Sequence, residues 1–288
     1  MAKTKVLVTV KTYPTLSQKY DELVCTAGFL EDGSWIRIYP VPFRKLDTRY
    51  KKWQWIELDL VKNTSDHRIE SYRPTDYDDI TLGQIIDTKK NGWEQRKKYA
   101  LKKVYTNMSV LIAEAKNRAI GTSLAVFKPS EIIDFKYEPC KREWDEKKVK
   151  AIYARAAQGN LFDTEEEREV KKLFQIVDKI PYEFSYVFKS EDGKKRKLMI
   201  EDWEVCALYR RYVKDYNLSE LEACEKVKEK YINDFARTKD LYFFLGTTLQ
   251  HHFTGKNPFI IIGTFTPPYP KQKPRQPSLF DFDFENDK

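Results

Sequence analysis

The first 70 residues alternate apolar and polar side chains with a period of two, and this pattern constrains the fold more than any other feature of the chain. The alternating segments are rich in β-branched and aromatic residues and cover residues 5–13, 22–30, 34–43 and 54–62. Between the second and third segments, Asp32-Gly33 is a hairpin signal. Pro40 and Pro42 indicate that the third strand ends at an edge or a bulge. The sequence therefore predicts a curled antiparallel sheet or a small barrel.

From residue 93 onward the apolar spacing becomes helical. One helical arc contains Trp93, Ala100, Leu101, Val104 and Met108, which predicts a helix over residues 93–108. A second helix is expected over residues 109–118. Residues 123–127 and 132–137 have strand-like patterns, and we expect them to return to the first sheet.

The remainder predicts helices at residues 149–156 and 170–177, a hairpin turning at Asp192-Gly193, and helices at 203–216 and 219–235. Strands over residues 241–247 and 258–265 are expected to close the body. The predicted class is α+β, with three parts. Residues 1–138 form an N-terminal antiparallel sheet or small barrel with helices, residues 139–266 form a helical layer with a β-hairpin and closing strands, and residues 267–288 form a Pro-rich linker and tail.

Sparse metal ligands argue against a metal site. The four cysteines (Cys25, Cys140, Cys206 and Cys224) lie far apart in sequence, and the chain has 3 histidines. We therefore expect no metal and no cofactor. No apolar run approaches the roughly 20 residues of a membrane span, and the N-terminus leads straight into a strand without a signal peptide. The expected location is cytoplasmic.

Positive charge is concentrated in one segment. Of the net charge of +8, residues 93–128 contribute +6, from 8 basic and 2 acidic residues. Arg96, Lys98, Lys102 and Lys103 lie on the arc opposite the apolar residues, and we expect them to contact DNA phosphates. The alternative is a lysine-rich helix face that is simply solvated.

A second group of basic residues lies in the N-terminal sheet. Arg37 and Arg44, together with Glu70 and Arg73, are candidates for a polar cleft in which arginines and aromatic rings hold nucleic acid. The alternative is that these are ordinary strand residues that face solvent.

One carboxylate cluster is the candidate for catalysis. Glu201, Asp202 and Glu204 follow a hairpin strand, where carboxylates can hold Mg²⁺ for phosphodiester cleavage. The alternative is that they open a helix, with Asp202 as its N-cap.

The tail contains a short motif made of Gln276, Ser278, Leu279, Phe280 and Phe282. It resembles the peptides by which replication and repair proteins bind sliding clamps, in the form of the bacterial β-clamp motif or of the archaeal PCNA-interacting box. Asp283 departs from the second aromatic residue of the eukaryotic box. The resemblance implies that the tail binds a sliding clamp through an aliphatic anchor, an aromatic anchor and a glutamine.

Together these features predict a DNA-associated protein that binds the phosphate backbone and is recruited to a sliding clamp by its C-terminal peptide. Two alternatives stay open. One is a metal-dependent nuclease or another nucleic-acid-processing enzyme that uses the carboxylate cluster, and the other is an RNA-binding module.

Overall fold

The computed structural model of the chain describes residues 3–17, 21–42, 50–158 and 176–270. Its class is α+β, as the sequence predicts: a curled N-terminal sheet is followed by helices and two smaller sheets. No helix among these residues is long and apolar enough to cross a membrane.

The N-terminal sheet has the strand order β6–β7–β4–β3–β1–β5–β8, with β2 paired to β3. Its strands are β1 (Thr4–Lys11), β2 (Thr15–Ser17), β3 (Asp21–Phe29), β4 (Trp35–Pro42), β5 (Gln54–Leu58), β6 (Leu60–Lys62), β7 (Ser71–Pro74) and β8 (Thr81–Ile85). The predicted β3–β4 hairpin is confirmed. It turns at Gly33, whose φ of 81° lies in the left-handed region that glycine adopts without steric cost.

Strand β1 shows why the sheet curls around two cores. Val6 and Val8 pack in one apolar cluster, whereas Leu7 and Val10 pack in another on the opposite face. A register shift between Val8 and Val10 returns Val10 to the same face as Leu7, as a β-bulge does. Both faces of β1 are therefore buried.

Five α-helices lie in the described residues: α1 (Gly92–Ala100), α2 (Met108–Lys116), α3 (Glu146–Gln158), α4 (Trp203–Lys214) and α5 (Glu220–Glu229), the last continuing as a π-helical segment (Lys230–Ala236). The predicted helix over residues 93–108 is wrong in its second half. Helix α1 ends at Ala100, and β9 (Val104–Tyr105) pairs in parallel with a later strand. The N-cap Asn107, which accepts hydrogen bonds from the backbone N–H groups of Ser109 and Val110, then starts α2.

Two smaller sheets complete the body. One has the order β15 (Phe259–Phe265), β14 (Tyr242–Thr247), β10 (Leu124–Phe127) and β9; the other has the order β11 (Glu131–Pro139), β12 (Tyr182–Lys189) and β13 (Lys195–Met199). The expectation that β10 and β11 return to the first sheet is wrong, because their backbones pair with β14 and β12 instead. The predicted β12–β13 hairpin is confirmed, and it turns at Gly193 with φ 72°.

The largest core lies among the two smaller sheets and the helices α2, α4 and α5. Phe184, Tyr186 and Phe188 of β12 are buried against residues of α4 and α5, including Val205 and Val227. Each such side chain contributes about 1.5–3 kcal/mol by its burial. On α5, Cys224 and Val227 are buried, whereas Leu221 is 60% exposed.

Candidate nucleic-acid interface

A groove of about 650 Å³ lies where the β3–β4 turn meets the segment that follows α1. Its walls come from four stretches of chain that the fold brings together, and they comprise residues 32–35, 69–70, 102–103, 105, 120–122 and 124–125. We call this the basic groove, because Lys102 and Lys103 form one of its walls. Two of the predicted phosphate-binding residues therefore lie at a cavity large enough for a ligand.

Local structure places both lysines at the mouth. Gly33 lets the Lys102 side chain cross the hairpin turn, since a Cβ on Gly33 would lie 2.7 Å from Lys102 Cδ. Lys102 Nζ donates to the Asp32 carbonyl oxygen. Lys103 Nζ lies 4.7 Å from the centre of the Tyr105 ring, and the Lys103 side chain is 73% exposed. Hydrogen bonding with Tyr105 raises the pKa of Lys103, so its ammonium group stays charged.

A polar network centred on Ser123 holds Glu70, which lines the groove. Arg37 is 2% exposed and donates from Nη1 to Ser123 Oγ at 2.7 Å and from Nη2 to the Ser123 carbonyl oxygen at 3.2 Å. Glu70 Oε1 accepts from Ser123 Oγ at 2.7 Å and from Ser123 N at 3.2 Å. Because Arg37 is buried and committed to Ser123, the prediction that it binds nucleic acid directly is wrong; it supports the groove from behind.

A second buried network supports the first. Burial raises the pKa of Asp66, but hydrogen bonds from Arg68 and Ser71 outweigh this effect and bring the pKa down to about 2. Arg68 Nη1 also donates to the Thr247 carbonyl oxygen at 2.5 Å. Thr247 Oγ1 lies 2.9 Å from Nδ1 of His252. Burial, together with the neighbouring His67 and Arg68, lowers the pKa of His252 to about 4, so this imidazole is neutral at physiological pH.

The other predicted phosphate-binding residues lie in different environments. Lys98 is exposed on α1, but Arg96 faces the protein interior. Its Nε and Nη2 donate to the Ile86 carbonyl oxygen at 2.9 and 2.6 Å, and its guanidinium lies 4.8 Å from the centre of the Trp53 ring. The four basic residues therefore do not share one face, since α1 ends before Lys102. Arg44 lies outside the described residues, and Arg73 is exposed on β7.

The carboxylate cluster has a different environment. Asp202 is the N-cap of α4, as predicted: its Oδ1 accepts from Glu204 N at 3.3 Å. Lys52 Nζ lies 2.8 Å from Asp202 Oδ1 and 3.1 Å from Glu204 Oε2. Asp202 is fully buried, and burial raises its pKa despite the adjacent Lys52. We call Lys52, Asp202 and Glu204 the Lys52 junction.

Glu201 does not join this contact. Its backbone N–H donates to the Ile261 carbonyl oxygen, and burial raises its pKa, with a further contribution from Glu183. Across the part of the chain that the structure describes, no group of three or more His, Cys, Asp or Glu side chains is arranged to hold a metal ion. Sequence reasoning missed Lys52, since one lysine in a lysine-rich stretch gives no signal of its distant partner.

The tail residues Gln276, Ser278, Leu279, Phe280 and Phe282 lie outside the described residues.

The chain matches two families. Residues 2–102 match a domain of unknown function, DUF8758, and residues 87–283 match a second domain of unknown function, DUF8757, which covers more than half of the chain. The chain belongs to the DUF8757 family. In this DUF8757 protein the matched ranges overlap over residues 87–102, which contain α1. No curated protein matches the chain.

Both sites of this DUF8757 protein combine the two matched ranges. Trp35 and Glu70 of the basic groove come from the first range, whereas Lys103 and Ser123 come from the second. The Lys52 junction likewise joins Lys52 of the first range to Asp202 of the second.

Proposed function

We propose that this protein is a DNA-associated protein, in the cytoplasm, that binds the phosphate backbone at the basic groove and is recruited to a sliding clamp by its C-terminal peptide. The observation that carries the proposal is the exposure of Lys102 and Lys103 at this groove, with Lys98 exposed on α1 in the same segment, which holds +6 of the net charge. Exposed ammonium groups at a concave surface attract phosphates and release the counterions condensed on them.

The aromatic lining supports the same proposal. Trp35 and Tyr105 are half-buried and line the groove beside the lysines. Aromatic rings next to a basic surface are the combination with which proteins bind single strands, by stacking on bases and by contacting phosphates.

The DNA part of the proposal is tested by charge removal at matched positions. The variant Lys98→Ala/Lys102→Ala/Lys103→Ala should lose DNA affinity by roughly tenfold or more, whatever the DNA sequence, because phosphate contacts carry no sequence information. The measurement is fluorescence anisotropy with labelled duplex and single-stranded DNA at low salt.

The matched control is Lys141→Ala/Lys147→Ala/Lys148→Ala, which removes the same charge from exposed positions in and before α3. It should weaken binding much less. Equal losses in both variants would show that only overall charge matters and would remove the basic groove from the interface.

The clamp part is tested separately. Truncation of an anchoring aromatic residue typically costs about 2 kcal/mol or more, so Phe280→Ala should weaken clamp binding at least roughly 30-fold. Surface plasmon resonance should also show that a synthetic peptide of residues 273–288 binds the clamp alone. If the Leu279→Ala/Phe280→Ala variant binds the clamp as well as the wild type, the tail is not a clamp peptide.

A metal-dependent nuclease is the alternative that a specific observation favours. Asp202 Oδ2 is buried and has no hydrogen-bond partner among the described residues. Incubation of plasmid DNA with the protein and Mg²⁺ tests this alternative, which requires cleavage that Asp202→Asn abolishes. An RNA-binding module is tested by adding RNA of the same sequence to the anisotropy assay.

A further inference from the structure

Two carboxylates line the basic groove, and each is held by a serine. Ser34 donates to Asp32 Oδ1 at the hairpin turn beside Lys102, and Ser123 donates to Glu70 Oε1 on a different stretch of chain. Glu70 Oε1 is occupied by two hydrogen bonds from Ser123. Its other oxygen, Oε2, accepts no hydrogen bond from any residue that the structure describes, and Glu70 is only partly buried. The groove therefore contains a fixed hydrogen-bond acceptor with unused capacity.

The charges of the groove are distributed unevenly over its walls. Lys102 and Lys103 stand exposed at one wall, where Asp32 offsets part of their charge, while the Glu70 carboxylate belongs to another wall that has no lysine in its lining. A phosphate is attracted by the lysines and repelled by Glu70, so a bound nucleotide would place its phosphate at the lysines and its base at the carboxylate. The exposed side chains of Ile69 and Ile120 provide apolar surface beside Glu70 for the base.

On the basis of the function proposed above, we infer that the basic groove binds one unpaired nucleotide of a single strand and that Glu70 accepts hydrogen bonds from the Watson–Crick edge of its base. In a duplex that edge is already paired, so only an unpaired base can present it. The volume of about 650 Å³ is within the range of roughly 300–1,000 Å³ that is typical of small-ligand sites, and it accommodates one nucleotide.

The acceptor also specifies which base is preferred. Guanine offers two adjacent donors on this edge, its N1–H and its N2 amino group, to a carboxylate that can only accept. Thymine offers one N–H between two carbonyl oxygens, which a carboxylate repels. The groove should therefore favour guanine over thymine. A hydrogen bond to a charged group is strong enough to give a preference of roughly tenfold.

The variant Glu70→Gln separates this inference from a structural role. Its amide oxygen can still accept from Ser123, but it presents an NH₂ donor where the wild type presents Oε2. The matched control is Glu31→Gln, which removes the same charge from an exposed position that is paired with Lys5 and is not part of the groove lining. Thermal melting of both variants verifies that they are folded.

The experiment measures fluorescence anisotropy of two short single strands, one of thymine only and one in which spaced thymines are replaced by guanine. The wild type should bind the guanine strand roughly tenfold more tightly, Glu31→Gln should keep that ratio, and Glu70→Gln should bring it close to one. Equal binding of both strands by the wild type, or an unchanged ratio in Glu70→Gln, overturns the inference and leaves backbone binding intact. If neither strand binds, the proposed function fails together with it.

Discussion

The Lys52 junction and the basic groove both hold lysines close to carboxylates, but the two regions differ in how far these lysines are buried and paired. At the junction, the Lys52 side chain is 13% exposed and its ammonium group contacts two carboxylates. At the groove, the Lys103 side chain is 73% exposed and its Nζ lies 3.9 Å from Glu114 Oε2. The comparison shows that burial and pairing, rather than the number of charges in a segment, decide which lysines are available to a partner.

The two regions also differ in what their charges contribute to stability. A buried charge that loses its partner leaves an uncompensated ion in a medium of low dielectric constant, which is costly. An exposed ion pair contributes about 0–1 kcal/mol. Substitutions at the junction should therefore change folding, and substitutions at the groove should change binding.

The largest effect is expected for Lys52→Met. Without the ammonium group, the buried carboxylate of Asp202 loses its main partner, and the free energy of unfolding should fall by about 3–5 kcal/mol. DNA affinity of the folded fraction should stay the same. Chemical denaturation monitored by circular dichroism measures the change.

The neighbouring Lys51→Met substitution is the control, because Lys51 is exposed; it should alter stability by less than about 0.5 kcal/mol. Adding Asp202→Asn to Lys52→Met should restore part of the loss. Equal stability of Lys52→Met and wild type would mean that the junction is not a buried ion pair.

A smaller, pH-dependent effect is expected beneath the groove, at His252. The unfolded chain binds a proton at the ordinary pKa of 6.5, whereas the folded protein holds His252 neutral down to a pKa of about 4. Above pH 6.5 the free energy of unfolding therefore keeps its full value. It decreases as the pH falls toward 4, because in this range the unfolded chain binds a proton that folded His252 does not. Between about pH 7 and pH 5 the wild type should lose about 2 kcal/mol more than His252→Gln does.

Urea denaturation of both proteins across this pH range measures the difference. His251→Gln is the matched control, since His251 is the adjacent histidine and is exposed. If wild type and His252→Gln show parallel curves, His252 does not have a depressed pKa.

Local patterns predict most of the strands and the two hairpins at Gly33 and Gly193, but not β2, β7, β8 and β9. Period-two alternation and the turns at Gly33 and Gly193 are encoded within a few residues. The helix expected over residues 93–108 fails because Val104 and Tyr105 pair with β10, a contact that apolar spacing cannot reveal. Long-range pairing determines the conformation of Val104 and Tyr105, since the local sequence, with a β-branched and an aromatic residue, is compatible with a strand as well as with a helix.

The site was predictable in composition but not in geometry. The sequence indicates a basic segment, and the structure places Lys102 and Lys103 of that segment at a groove. It does not indicate that Arg96 turns inward to Ile86 or that Arg37 is buried against Ser123. Both arginines are held by backbone carbonyl or hydroxyl groups that are close only in the folded chain.

The most direct test of DNA binding at the basic groove is the salt dependence of affinity. The slope of log affinity against log salt counts the phosphate contacts, so Lys102→Ala/Lys103→Ala should reduce its magnitude by roughly two. The control Arg96→Gln also removes a charge from this segment but retains an amide donor for the Ile86 carbonyl oxygen, and it should keep the wild-type slope. A wild-type slope in Lys102→Ala/Lys103→Ala would contradict the proposal that this groove binds DNA.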